Sequence, residues 1–252
     1  MLSIKDYIYE LHATNTVEDA FAVLQRYLAK MGLDRAIYSV LTDIPALGVE
    51  AGHAILGNYP EEWMAYYTEK NYMHIDPVRK AVKLTHDPFW WSDMHRIVEV
   101  GAHETQILEE AKDAKVADGL GFGMHGPNGQ IAGVGVASSC GGVDRSPHTL
   151  AMVRLLVFEF NAIFMQRKAD EQRKLPALLT RRETEVLCWL ARGKTVPEAR
   201  AIMSIDGCVS EATLRYHVKN IYTKLEVSTA PQAVAKALSR GILTYADLQG
   251  YI

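Results

Sequence analysis

The sequence predicts an α+β chain: an N-terminal α/β/α sandwich with a central antiparallel sheet, followed by a small all-α domain of four short helices. Three observations carry this. Four short runs of β-branched, aromatic or small residues sit between turn signals in the N-terminal part. Around them, longer stretches place apolar residues at helical spacing. The C-terminal part instead announces its helices by their caps.

Taken in order, Ile4, Tyr7, Ile8 and Leu11, then Val17, Phe21, Leu24 and Leu28, predict two opening helices, broken near Thr14 and Asn15. AIYSVLT (36–42), AGHAILG (51–57), GLGFGMHG (119–126) and IAGVGVASS (131–139) read as strands, the last two as a hairpin turned by PNG at 127–129. A helix is expected in ETQILEEAKDAKVADG. Another is expected in LAMVRLLVFEFNAIFMQRK, whose apolar positions 150, 153, 156, 157, 160, 163 and 164 repeat at helical spacing. The charged stretch QRKADEQRKLPALL holds few core residues and reads as a linker. The expected domains are 1–168, a linker at 169–178, and 179–252.

Composition bounds the function. With 48% apolar and 23% charged residues in 252, the chain has the usage of a globular protein. No run resembles a membrane span or signal peptide, so the expected place is the cytoplasm, with no membrane partner. Cys140, Cys188 and Cys208 form no CxxC pair, and neither a disulfide framework nor a zinc site is suggested. His53, His74, His86, His95, His103, His125 and His148 form no HExxH or HxHxDH pattern, and no G-x-S-x-G elbow occurs. An enzyme, a metal or a cofactor is therefore not expected. The net charge of −3 is uneven: residues 171–252 hold 12 Lys+Arg against 8 Asp+Glu, while the rest hold 15 against 22. The basic end is the candidate for nucleic acid.

Three capping boxes mark that end: Thr180 with Glu183, Thr195 with Glu198, and Thr229 with Gln232. Ser210 is a simpler N-cap before EATLRYHVKNIYTKL, and Gly193 and Gly241 stand where helices should stop. In the third helix Leu214, Val218, Ile221 and Leu225 form one apolar stripe. The opposite face carries Ala212, Tyr216, Lys219, Asn220 and Thr223, with Thr213, Arg215 and Lys224 at its edges. Amides and cations there suit base edges, hydroxyls and lysines suit phosphates, and a helix-turn-helix follows.

The run LTRRETEVLCWLARGKT...E...VSEATLRYHVKNIYTKL resembles the helix-turn-helix of LuxR-type transcription regulators, with Glu183, Leu187, Gly193, Thr195, Thr213, His217, Lys224 and Leu225 on its signature. The candidate DNA-binding set is Thr195, Thr213, Arg215, Tyr216, His217, Lys219, Asn220, Thr223 and Lys224. For His217, packing and DNA contact stay open; Glu183 reads as a cap. The link SIDGCVS (204–210) is about four residues longer than the family's.

Before this segment, YPEEWMAYYTEKNYMHIDPV (59–78) sets Tyr59, Trp63 and Tyr67 on one face, with Asp76 pushed into extended backbone by Pro77. The spacing Y-x3-W-x3-Y-x8-DPV, with Trp91 in PFWWSD, resembles the acyl-homoserine-lactone-binding domain that accompanies LuxR-type helix-turn-helices. The resemblance implies that Asp76 accepts the ligand amide N–H, Trp63 donates to the lactone carbonyl and Tyr59 to the acyl carbonyl. Tyr67 and Trp91 would enclose the head group, and Gly119 and Gly123 would match the family's strand glycines. Without ligand, Asp76 is expected to lack its donor. Dimerisation through helix 150–166 and the YADLQGYI end would present two recognition helices to a two-fold-related site, with burial of that helix in its own sandwich left as the other reading. Gly135 stands where relatives often supply a Ser or Thr hydroxyl. That leaves acyl-chain recognition open, and with it a lactone-independent regulator, one answering another small molecule, or an inhibitory heterodimer partner.

Overall fold

The computed structural model describes residues 3–126, 129–173, 178–203 and 210–249. The chain divides into two compact units, Met1–Asp43 with Glu50–Lys168, and Ala169–Ile252 with Ile44–Val49.

The first unit is built on a five-stranded sheet of order β2-β1-β5-β4-β3: β1 Arg35–Val40, β2 Gly52–Gly57, β3 Phe89–Trp90, β4 Asp118–His125 and β5 Ile131–Ser138. All neighbours are antiparallel. Tyr38 lies opposite Val134, which lies opposite Phe122, and Val136 lies opposite Leu120, so these side chains share one face. Helices α1 (Ile4–His12), α2 (Val17–Ala29) and α6 (Pro147–Arg173) cover that face. The Tyr38 ring meets Phe160 and Phe164, Phe21 meets Phe160 edge-on, and the Tyr7 hydroxyl donates to the Leu156 carbonyl at 2.6 Å.

Helix α6 is long and apolar enough to cross a membrane. Here Val153, Leu156, Val157, Phe160, Ile163 and Phe164 are buried within its own unit, while the stripe of Ala151, Arg154, Phe158 and Ala162 is exposed. The helix runs to Arg173, beyond the last apolar position of the periodic pattern.

On the other face strands β4 and β5 carry almost no side chains. Gly121 lies opposite Gly135, Gly123 opposite Gly133, and Gly119 opposite Ala137. Close approach explains this. A Cβ on Gly123 would stand 2.3 Å from the Val82 carbonyl oxygen and 2.5 Å from that of Thr85, and one on Gly121 would stand 2.4 Å from the Phe89 ring. Helices α3 (Glu61–Glu69), α4 (Pro77–Val82) and α5 (Ala102–Asp113) lie over this face.

Strand β3 was not expected from the sequence, because two residues are too few to show a period. The residues Pro127 and Asn128 of the expected turn, and residues 204–209 of the long link, lie outside the described residues. So do residues 250–252 of the expected dimerisation segment.

The second unit holds α7 (Arg181–Ala191), α8 (Val196–Met203), α9 (Glu211–Leu225), α10 (Ala230–Ser239) and a fifth short helix, α11 (Tyr245–Gln249). Its core gathers Val186, Leu187, Met203, Leu214, Ile221 and Leu225, among others. Gly193 (φ +78°) and Gly241 (φ +64°) end α7 and α10 in the left-handed conformation. Two capping boxes close reciprocally: the Thr180 N–H donates to Glu183 at 2.7 Å, and the Thr195 N–H to Glu198 at 2.8 Å. The third expected box is half made. Thr229 caps the Gln232 N–H, but Gln232 Oε1 turns to the N–H and hydroxyl of Ser228, which offer two donors instead of one. A reciprocal pair not anticipated, Thr244 with Asp247, opens α11.

Candidate functional site: an aromatic cavity and a polar helix face

Pro60, with its fixed φ, and the acids Glu61 and Glu62 start α3 and direct Trp63 and Tyr67 inward. Tyr59, Trp63, Tyr67, Asp76 and Trp91 all line one cavity between the glycine face and α3 to α5, enclosing about 640 Å³ of space free of protein atoms, its mouth included. Ile107, Ala111 and Val116 add apolar wall, and Gly133 and Gly135 form part of the floor.

Asp76 departs from expectation. It is buried (8% exposed), yet the polypeptide supplies donors: Oδ1 accepts from the Val78 N–H at 2.7 Å and the Arg79 N–H at 3.3 Å, and Oδ2 accepts from the Tyr67 hydroxyl at 2.7 Å. The expectation of a donorless carboxylate is thereby corrected. With Pro77 at the first helical position, Asp76 is the N-cap of α4, and its side chain meets the free N–H groups of that turn. A carboxylate has about four lone-pair sites, so Oδ2 keeps room for one further donor. Burial raises the Asp76 pKa above the ordinary carboxylate value, against the opposing pull of the Tyr67, Arg79 and Val78 hydrogen bonds.

Two donors stand in the opposite condition. The Tyr59 hydroxyl and the Trp91 indole Nε1 are buried with no hydrogen-bond partner among the described residues. Burial and the nearby Asp76 charge raise the Tyr59 pKa, so its proton stays on the oxygen. An orphaned buried donor costs about 1–3 kcal/mol, and a bound acceptor relieves that cost. Tyr67, expected to enclose a ligand, also orients Asp76 through its hydroxyl.

The sequence reading missed Ser39, His53 and Arg79, which line the same cavity. Burial, then the charge of Arg79, depress the His53 pKa to about 4. They come from β1, β2 and α4, and no spacing relates them; only the polar residues interrupting AIYSV and GHAIL hint at their role.

In the helical unit the expected residues divide. Thr195, Thr213, Arg215, Tyr216, Lys219 and Thr223 are exposed; His217, Asn220 and Lys224 are half-buried. Lys224 Nζ donates at 2.6 Å to Glu183, itself buried and already bonded to Thr180, so it closes the cap of α7. Burial would raise the Glu183 pKa, but the Lys224 and Thr180 bonds outweigh it and leave it lowered. His217 Nδ1 is buried without a partner among the described residues. Arg215 pairs with Glu211 at 2.6 Å one turn away, Thr213 bonds the Ser210 hydroxyl, and the Thr223 hydroxyl donates back to the Lys219 carbonyl. Tyr216 and Lys219 project freely from one stripe, with Tyr216 62% exposed.

The autoinducer binding domain family matches residues 16–163, and the luxR family of bacterial regulatory proteins matches residues 177–237. The chain belongs to the LuxR-type quorum-sensing regulators. Among relatives of this LuxR-type regulator, y4qH of Sinorhizobium fredii is 32% identical over 228 residues, 88% of this chain and 68% of that one. The transcriptional activator SolR of Ralstonia solanacearum is 28% identical over 250 residues, 94% and 99% of the two chains. Escherichia coli SdiA shares the fold of the LuxR-type regulator described here, with TM-score 0.73, 24% identity, and 95% and 97% of the chains covered. The same TM-score holds for SdiA in complex with octanoyl-rac-glycerol, at 23% identity over 94% of each chain. These relatives are regulators of transcription, not enzymes. Among the described residues no group of three His, Cys, Asp or Glu could hold a metal.

Proposed function

We propose that this regulator binds an N-acyl-homoserine lactone in the aromatic cavity of residues 1–168 and DNA through residues 179–252, joined by a linker at 169–178. The observation that supports it is the polarity of the cavity: one buried carboxylate with an open lone pair shares it with the orphaned Tyr59 hydroxyl, and the indoles of Trp63 and Trp91 line the same space. A homoserine lactone offers one amide N–H and two carbonyls on an apolar tail. The amide donates to Asp76 Oδ2, the acyl carbonyl accepts from Tyr59, and the lactone carbonyl accepts from Trp63, beside the Trp91 indole.

Binding to the folded state alone stabilises it by about 2.7 kcal/mol at a hundredfold excess over Kd. In this reading ligand is coupled to folding and to a cytoplasmic homodimer, with the exposed stripe of α6 and the C-terminal segment as its surfaces. Two copies of α9 then meet a two-fold-related double-stranded operator, Lys219 and Arg215 on phosphates and Asn220 toward base edges.

Asp76→Asn tests the lactone reading, because Asn caps a helix as well as Asp. The variant should fold but lose the upward shift in Tm that N-octanoyl-homoserine lactone gives the parent. An unchanged shift would overturn the assignment. Octanoyl-rac-glycerol, which the SdiA structure holds, belongs in the same assay, since it has a carbonyl, a tail and hydroxyl donors but no amide. A shift with it alone would favour a regulator answering another acyl compound.

A further inference from the structure

Trp91 lines the aromatic cavity, yet its own stretch of chain does little to hold it there. It follows β3, which pairs with β4 only through Phe89, opposite Gly121, and Trp90, opposite Leu120. A strand that short is marginal by itself. Trp91 then opens a 3₁₀ helix (Trp91–Arg96) whose N-terminus has no side-chain cap. Neither element fixes the direction of the indole.

Arg145 grips both chain neighbours of Trp91. Its guanidinium carbon lies 4.7 Å from the centre of the Trp90 ring, and its Nη1 donates to the Ser92 hydroxyl at 3.0 Å. Its Nη2 donates to both carboxylate oxygens of Asp118, at 3.0 and 3.2 Å. Asp118 is the first residue of β4 and precedes Gly119, against which the Trp91 ring lies: a Cβ there would stand 2.8 and 2.9 Å from two ring atoms. One side chain thus ties the residues before and after Trp91 to the strand that carries its floor. Stacking on a ring while donating in two fixed directions suits a planar guanidinium and not an ammonium.

Arg145 is itself presented from a fixed turn. Gly141 and Gly142 bend the chain at φ +74°, Val143 is buried, and Asp144 accepts from the hydroxyls of Ser146 and Thr149 where α6 begins. The pair with Asp118 is partly exposed, so it adds little to stability. Its effect is one of aim.

We infer that Arg145 is a positioning residue for ligand binding: it does not line the cavity, and it holds Trp91 against Gly119 as part of the cavity wall. The guest it serves rests on the proposed lactone reading, whereas the clamp on Trp91 is measured without any guest.

The full chain labelled with fluorotryptophan carries four reporters, Trp63, Trp90, Trp91 and Trp189, and Trp91→Leu identifies the Trp91 resonance by its loss. Without ligand, Arg145→Met should shift or broaden the Trp91 line and leave those of Trp63 and Trp189 in place. Calorimetric titration with N-octanoyl-homoserine lactone reads the consequence. Arg145→Met should bind about tenfold more weakly than the parent, but adding it to Trp91→Leu should change affinity by no more than about twofold, because residues that act through one another are not additive. An unmoved Trp91 line, a parent-like affinity in Arg145→Met, or an equal loss in both backgrounds overturns the inference; the last would mark a tie between loop and strand with no bearing on the indole. A parent that binds no lactone overturns the lactone reading, and the fluorine spectra still decide the clamp. Should Arg145→Met misfold, Arg145→Lys keeps the charge beside Asp118 and gives up the planar stack. It is expected to move the same line and weaken binding likewise, with a urea midpoint close to that of the parent.

Discussion

The Tyr67 hydroxyl donates to Asp76 Oδ2 at 2.7 Å while Oδ1 of the same carboxylate caps α4. The acid is thus aimed before any guest arrives. One oxygen is spent on the fold, and the other is shared between a tyrosine and the cavity.

Tyr67→Phe should remove that aim and leave Oδ2 buried without a donor. The expected loss is about 1–3 kcal/mol in urea unfolding, with a weaker thermal response to lactone. Unchanged stability would mean that water replaces the phenol at no cost.

Gly123→Ala should be poorly tolerated. Its Cβ would meet two backbone carbonyls at 2.3 and 2.5 Å, neither of which can turn aside as a side-chain end can. A loss of about 1–3 kcal/mol is expected from overpacking. Gly135→Ala meets the Tyr59 hydroxyl at 3.2 Å and should lose less. Equal urea midpoints for the two variants would contradict the packing argument.

The two lysines of α9 should behave differently. Lys219→Ala should leave unfolding unchanged, weaken DNA binding about uniformly across sequences, and lower the salt slope by about one. Lys224→Ala uncouples buried Glu183 and should lower the stability of the helical unit itself. Operator titrations at several salt concentrations, beside thermal unfolding of both variants, separate these outcomes.

His53 gives a pH dependence with a definite sign. Its folded pKa of about 4 lies below the ordinary 6.5, so the unfolded chain binds the proton first. Its contribution is fully present above pH 6.5 and is lost as pH falls toward about 4. Asp76, raised by burial, acts in the opposite direction in the acid range. The difference between parent and His53→Asn isolates the histidine: the parent's stability should fall more steeply over that window, and parallel curves would refute it.

Much of the fold was legible because it is written locally. Thr180 and Glu183 announce a helix by a bond three residues long, and Leu214, Ile221 and Leu225 repeat within one helix. Residues 59–76 could be read together for the same reason: α3 and the start of α4 keep them on neighbouring turns. What escaped depends on distant partners. Lys224 reads as a DNA contact on its own helix, and only the packing of α7 on α9 shows it bonded to Glu183, 41 residues earlier. Gln232 could reach either of two adjacent residues, and the sequence does not say which. Ser39, His53 and Arg79 meet through a register shift and a left-handed alanine, neither of which leaves a periodic trace.

The bare glycine floor limits how this receptor can change its taste. A side chain added at Gly121 or Gly123 strikes a ring or a carbonyl, whereas one at Gly135, on the cavity itself, meets only the Tyr59 hydroxyl at 3.2 Å and the Ile37 side chain at 3.3 Å, so new selectivity enters from the helical roof, the strand rims and position 135. Variation among descendants of this chain should accordingly gather at positions such as 39, 53, 79 and 135, while Gly121 and Gly123 stay silent.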